Sequence, residues 1–170
     1  MPILLETDRL ILREFGPDDA EAFFTLCSNP QVTRYTGSSG ISTREQARAA
    51  MSAPTIVDYY QHGFGRLACV LRSNGLVIGF AGLKYLDDLG EVDIGYRFLP
   101  EYWDVGLATE ASRAALDYGF TQLHLEQIIG LVDPENIASV HVLEKLGLTF
   151  SGVIEYQSQP AARYVIRKGS

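Results

Sequence analysis

Two stretches of the chain combine residue types and spacings that can do chemistry. In Tyr96-Arg97-Phe98-Leu99-Pro100-Glu101-Tyr102-Trp103-Asp104-Val105-Gly106-Leu107-Ala108-Thr109-Glu110-Ala111, a β-compatible run passes through a loop into a helix-compatible run. Gly106 and Ala108 keep bulky side chains away from the first helical turn. The N–H groups of such a turn have no partner inside the helix, and the helix dipole adds positive potential. An anion, a pyrophosphate for instance, is favoured there. The same residues also suit a plain strand-to-helix turn packed on a sheet, and one Gly-x-Ala does not separate the two. In the second stretch, Asp133 to Leu148, Asn136 heads a helix and Ser139 follows one turn later. Asn136 reads as an N-cap or as a polar group offered to a ligand. Lys145 reads as a helix-end cation or a phosphate partner.

Other chemistry-bearing residues are scattered. Cys27 and Cys69 lack metal-like spacing and read as reduced, buried small hydrophobes. His62, His124 and His141 form no metal triad pattern, so no metal is expected. Tyr59, Tyr60 and Trp103 are core aromatics or liners of a cleft.

The elements that must position these residues follow from periodicity. A strand is expected over Arg9–Arg13, and a helix opens at Pro17-Asp18-Asp19 and ends at Asn29-Pro30. Ser42-x-x-Glu45 has the spacing of a capping box, and Pro54 interrupts the helix it starts before the stop at Gly63. Arg66–Leu71, Leu76–Tyr85 and Val92–Leu99, joined by turns at Ser73-Asn74-Gly75 and Asp88-Leu89-Gly90, predict an antiparallel meander. Leu107, Ala108, Ala111, Ala115 and Tyr118 give the next helix its apolar face. A strand over Gln127–Val132, a helix over Pro134–Leu146 and strands over Phe150–Tyr156 and Arg163–Arg167 complete the pattern. The class is α+β: a mixed, mostly antiparallel central sheet flanked by helices.

With 170 residues, 46% hydrophobic and 21% charged, the chain fits one domain over 1–170 and excludes disordered, fibrous and coiled-coil classes. No apolar run is long enough for a bilayer span and no signal peptide is seen, so a cytoplasmic protein without a membrane partner is expected. A net charge of −7 argues against nucleic acid and is compatible with a cationic or amine partner.

Taken together and in order, several segments resemble the GNAT superfamily of acyl-CoA-dependent N-acyltransferases, and within it the ribosomal-protein-alanine acetyltransferase branch. The segments are Glu6-Thr7-Asp8-Arg9-Leu10-Ile11-Leu12-Arg13, Gly63-Phe64-Gly65, Asp93-Ile94-Gly95-Tyr96, Pro100-x-Tyr102-Trp103-x-x-Gly106-x-Ala108-Thr109-Glu110-Ala111, Asn136-x-x-Ser139 and Glu144-Lys145-x-Gly147. The resemblance implies the GNAT fold, acetyl-CoA as co-substrate and an amine acceptor, in a monomer or homodimer. It implies that backbone N–H groups of Val105, Gly106, Leu107, Ala108, Thr109 and Glu110 hold the coenzyme A pyrophosphate. Tyr96 and Phe98 would offer backbone groups to the pantetheine arm, Asn136 a side chain to the same arm, and Lys145 or Arg113 a charge to the nucleotide phosphates.

Two features, one in the loop and one in the last helix, depart from the family pattern. Trp103, Asp104 and Val105 leave the loop without a cation of its own. Leu143 stands where many members carry a tyrosine that protonates the leaving thiolate. Ser139 matches a serine thought to serve as acid in this branch, although a capping bond is the plainer role. For the base the choices are Asp93 and Glu91, each equally readable as a solvated charge on a sheet face. An N-acetyltransferase acting on a protein N-terminus or a small-molecule amine is the functional expectation. A non-catalytic acyl-CoA-binding module of the same fold is the alternative.

Overall fold

Aliphatic runs punctuated by short turns form strands, and segments with three- and four-residue apolar spacing form helices around them. The computed structural model describes residues 2–35 and 41–169. A short hairpin, β1 (Leu4–Glu6) and β2 (Leu10–Arg13), leads to α1 (Ala20–Ser28), the one-turn α2 (Pro30–Thr33), α3 (Arg44–Ala50) and α4 (Val57–His62). There follow β3 (Arg66–Leu71), β4 (Val77–Leu86), β5 (Glu91–Phe98), α5 (Leu107–Thr121), β6 (Gln127–Val132), α6 (Ile137–Lys145), β7 (Thr149–Tyr156) and β8 (Gln159–Arg167). The eight strands form one sheet in the order β1-β2-β3-β4-β5-β6-β8-β7. Every neighbouring pair is antiparallel except β5 and β6. The α+β class and the β3–β4–β5 meander are as the sequence predicts.

Helices cover both faces. On one, Ala115 and Leu116 of α5, Leu143 of α6 and Leu146 just past its end pack on Leu83, Val92, Ile94 and Ile128. Leu107 and Ala111 of α5 continue that face onto Ala81 and Phe98. On the other, Phe23 and Cys27 of α1 and Ala47 of α3 close over Phe15 and Ala68, with Phe80 against them.

Local chemistry accounts for the departures from expectation. The capping box is Thr43 with Gln46, not Ser42 with Glu45. Gln46 Oε1 accepts from the N–H groups of both Ser42 and Thr43, while Thr43 Oγ1 accepts from Gln46 N–H. Asn29, expected to end a helix, also starts one by capping α2 through Gln31 N–H. The last helix begins at Ile137, because Asn136 takes the cap position ahead of it. β1, only three residues long and half exposed, carries too little pattern to be foreseen.

One irregularity shapes the site. β5 and β6 run parallel but pair only at Asp93 and Ile129. Past that point they diverge, so Ile94 to Phe98 keep β4 on one edge and have no ladder partner on the other.

Candidate active site

The point where β5 and β6 part is built around Asp93. Its residue is 7% exposed, and its carboxylate spans the divide: Oδ1 accepts from Leu131 N–H of β6 at 3.0 Å. Oδ2 pairs with Arg66 Nη2 at 2.7 Å. The Arg66 guanidinium also donates to the carbonyls of Asp93 and Gly82, and so lies across β4 and β5. It rests directly on Gly95, where a Cβ would come within 2.5 Å of Nη2. A residue with a side chain at 95 would therefore push the arginine off the carboxylate. Burial drives the Asp93 carboxyl above its usual range, and Arg66 and the Leu131 N–H hold it only partly down.

Glu91, two residues earlier on the same face, is engaged differently. It pairs with Arg163 of β8 and accepts from Gln127 Nε2 at 3.1 Å. Arg163 in turn donates to Ser151 Oγ at 2.8 Å, tying β5, β8 and β7 together.

The open edge of β5 leads to the loop before α5. Trp103 Nε1 donates to the Phe98 carbonyl at 2.7 Å, fastening the loop to the strand's end. That carbonyl lies outside the sheet ladder. Strand residues project N–H and C=O to one side in alternation, so Tyr96 shares the free edge with Phe98. Gly106 caps α5 with φ +84°, a conformation in which a β-branched side chain is strained. The Glu110 N–H is already bonded to the Gly106 carbonyl at 3.0 Å. The N–H groups of Val105, Gly106, Leu107, Ala108 and Thr109 have no backbone partner among the described residues, so of the six expected from sequence only that of Glu110 is otherwise engaged.

The Glu110 side chain has a separate role, unforeseen in the sequence. It accepts from Thr7 Oγ1 at 2.6 Å, Arg9 N–H at 2.9 Å and Arg9 Nε at 2.8 Å. Arg9 Nη1 donates to the Val105 carbonyl at 2.8 Å. The loop that lacks its own cation thus has one beside it, delivered from the β1–β2 hairpin about a hundred residues away. Only the pairing of two family-like segments, one ending at Arg13 and one holding Glu110, hinted at it.

α6 closes the other side of the divide. Asn136 Oδ1 caps the helix by accepting from Ser139 N–H at 3.2 Å, and its amide nitrogen has no partner among the described residues. Tyr96 Oη donates to the Ser139 carbonyl at 3.2 Å, joining β5 to α6. Burial pushes the Tyr96 phenol up to about 12, so it stays protonated at neutral pH. The Ser139 hydroxyl is half-buried with no partner among the described residues. Leu143 is core, 2% exposed. Lys145 lies at the far end of α6, exposed, its carbonyl accepting from Arg113 Nη2 at 3.2 Å. Among the described residues no cluster of His, Cys, Asp and Glu could hold a metal ion. No helix among them is long and apolar enough to cross a membrane.

The parallel pair β5–β6 thus opens beside a helix started by glycine, and comparisons with known proteins give the family. A family model described as the acetyltransferase (GNAT) domain matches residues 9–149. The chain belongs to the GNAT acetyltransferases. This acetyltransferase is 37% identical over 164 residues to an uncharacterized N-acetyltransferase of Bacillus subtilis (strain 168), YoaA, covering 95% of this chain and 92% of the relative. It is 30% identical over 150 residues to the spermidine N(1)-acetyltransferase of Escherichia coli (strain K12), covering 86% and 76%. A GNAT-family acetyltransferase structure from Bacillus anthracis superposes with a TM-score of 0.83 at 26% identity, covering 99% of this chain and 100% of that one. The ribosomal-protein-S5-alanine acetyltransferase of Vibrio fischeri superposes with a TM-score of 0.75 at 17% identity, covering 99% and 98%, and there the likeness is one of fold.

Proposed function

We propose that this GNAT acetyltransferase moves the acetyl group of acetyl-CoA to a primary amine, on a protein N-terminus or a small molecule, by direct attack on the thioester. The observation that carries the reading is the divide between β5 and β6, opening at a buried carboxylate and leading to the unpaired N–H groups of α5. When bound, acetyl-CoA supplies an acyl group activated as a thioester. The N–H groups of Gly106 to Thr109 and the helix dipole hold its pyrophosphate. The free edge of β5 at Tyr96 and Phe98 holds the pantetheine arm, with the Asn136 amide opposite. Lys145 and Arg113 form a cationic edge for the nucleotide phosphates.

Primary amines have pKa values of roughly 8 to 10, so the acceptor must lose a proton. Asp93 takes it. A carboxylate has about four lone-pair sites, and Arg66 and Leu131 occupy two. Its raised pKa makes it a stronger base than a surface carboxylate. Glu91, bound by Arg163 and Gln127, holds β5 against β8 and is the second choice for the base. Ser139, its hydroxyl free beside Tyr96, donates a proton to the leaving sulfur in place of the tyrosine that Leu143 replaces. The spermidine N(1)-acetyltransferase among the relatives is named for an amine acceptor, which supports the acceptor class.

The test is release of free thiol from acetyl-CoA with a panel of amines. Amine-dependent release is expected. Binding of acetyl-CoA with no release for any amine would favour the acyl-CoA-binding module instead.

A further inference from the structure

Four arginines among the described residues are half-buried: Arg13, Arg66, Arg97 and Arg163. Three have a carboxylate partner: Arg13 pairs with Asp19, Arg66 with Asp93 and Arg163 with Glu91. Arg97 has none among the described residues. Its guanidinium lies over the Phe80 ring, 5.5 Å from the centroid, and Nη1 reaches only the Cys27 thiol at 3.8 Å. Burial pushes that thiol's pKa up, so at neutral pH Cys27 is a weak, uncharged acceptor rather than a counter-ion. Five N–H donors in a planar fork, half-buried and facing no anion among the described residues, match a carboxylate brought by a ligand.

The position of Arg97 says where that carboxylate would come from. Side chains alternate along a strand. Val92, Ile94 and Phe98 of β5 pack under α5, while Asp93, Gly95 and Arg97 share the opposite face, toward α1. Arg97 is therefore on the same face as the proposed base, four residues along the strand, and on the other side of the sheet from the α5 start that takes the pyrophosphate. We propose that Arg97 is the specificity-determining residue of the acceptor site and that the acceptor is an amine carrying a carboxylate, bound by the Arg97 guanidinium while its amine reaches Asp93. This rests on the transferase reading above, and it separates this enzyme from one built for polyamines, whose charges are all positive.

The experiment compares acceptors in matched pairs: α-amino acids, ω-amino acids and dipeptides, each against its carboxamide, with spermidine alongside. Acetyl-CoA binding is followed by calorimetry in the same preparations. Wild type is expected to favour at least one acid over its amide by about 10- to 100-fold in kcat/KM, mostly through KM. Arg97→Gln should collapse that ratio, Arg97→Lys should restore part of it, and acetyl-CoA affinity should stay within about twofold. The dipeptide and free amino acid arms tell a peptide acceptor from a metabolite. Equal use of acid and amide, preference for spermidine, no use of any carboxylate-bearing amine, or an acid preference that survives in Arg97→Gln would each overturn the proposal while leaving the transferase reading intact. Loss of acetyl-CoA binding in the wild type would instead remove the transferase reading, and the proposal with it.

Discussion

The two sides of β5 are built from different materials. Toward α5 and α6 the groups on offer are mainly backbone, a free strand edge and a glycine-started helix kept clear by small residues, with the Asn136 and Ser139 side chains beside them. Toward α1 they are charged side chains, Asp93 and Arg97 on β5, Arg66 on β3 and Lys84 on β4, the last paired with Asp58 of α4 at 2.6 Å. A thioester cofactor with a fixed shape is well served by backbone, which no substitution removes. An acceptor that differs between relatives is served by side chains, which can be exchanged one at a time while the sheet persists. Specificity is therefore sought on the charged side and affinity for acetyl-CoA on the backbone side.

The sharpest test of that division is Asp93→Asn. It should lower kcat/KM by about 10²–10⁴-fold near neutral pH while leaving acetyl-CoA affinity nearly unchanged. The gap should narrow as pH rises, because more of the acceptor amine is already neutral. Asn can still accept from Leu131 N–H, but Arg66 loses its counter-ion, so stability should fall by about 1–3 kcal/mol. Kinetics belong well below the melting transition. Near-wild-type turnover across the pH range would make Asp93 a strut of the sheet and shift attention to Glu91.

How much of each side can be read from the sequence follows the same division. The α5 start is local: Gly106, Ala108 and the strand before them are contiguous, and their spacing raises an anion site beside a plain strand-to-helix turn, the family resemblance being what tips it. The charged side is assembled from residues distant in the chain. Arg66 meets Asp93 because β3, β4 and β5 are neighbours in register, with Arg66 opposite Gly82 and Gly82 opposite Gly95. Nothing in the spacing of Arg66, Asp93 and Arg97 distinguishes the paired arginine from the unpaired one. Gly95 appears as one more small residue until the guanidinium lying on it is seen. Trp103 reads as a cleft aromatic or core residue, and only the structure shows its indole fastening the loop to Phe98.

Gly106→Val attacks the backbone side. The residue sits at φ +84°, so a β-branched side chain costs about 1–3 kcal/mol in strain, and its Cβ would lie 3.5 Å from Arg9 Nη2. Calorimetry should show acetyl-CoA binding weakened by at least about tenfold, with the pH profile of the remaining activity unmoved. Unchanged affinity in a folded variant would mean that the pyrophosphate lies elsewhere.

The smallest effect is expected from Glu110→Gln, which loosens the helix start without touching its conformation. The carboxylate accepts three hydrogen bonds from Thr7 and Arg9, and Arg9 in turn holds the Val105 carbonyl. Gln with its carbonyl oxygen in the Oε2 position keeps the bonds from Thr7 Oγ1 and Arg9 N–H but turns an amide donor toward Arg9 Nε. Because the Arg9 side chain is 45% exposed, the loss should be about 0.5–1 kcal/mol of stability, with acetyl-CoA affinity reduced a few-fold. The pH dependence identifies the cause. Burial alone would raise the Glu110 carboxyl, but the bonds from Thr7 and Arg9 outweigh it and hold it below its usual range. A carboxyl depressed in the folded state contributes stability above its unfolded pKa of about 4.3, and that contribution is lost as pH falls through the folded value. The melting difference between wild type and Glu110→Gln should be full at neutral pH and shrink below about pH 4. If it stayed constant into acid, the charge on Glu110 would not be what holds the hairpin to the helix. The backbone side would then owe its shape to Gly106 and Trp103 alone.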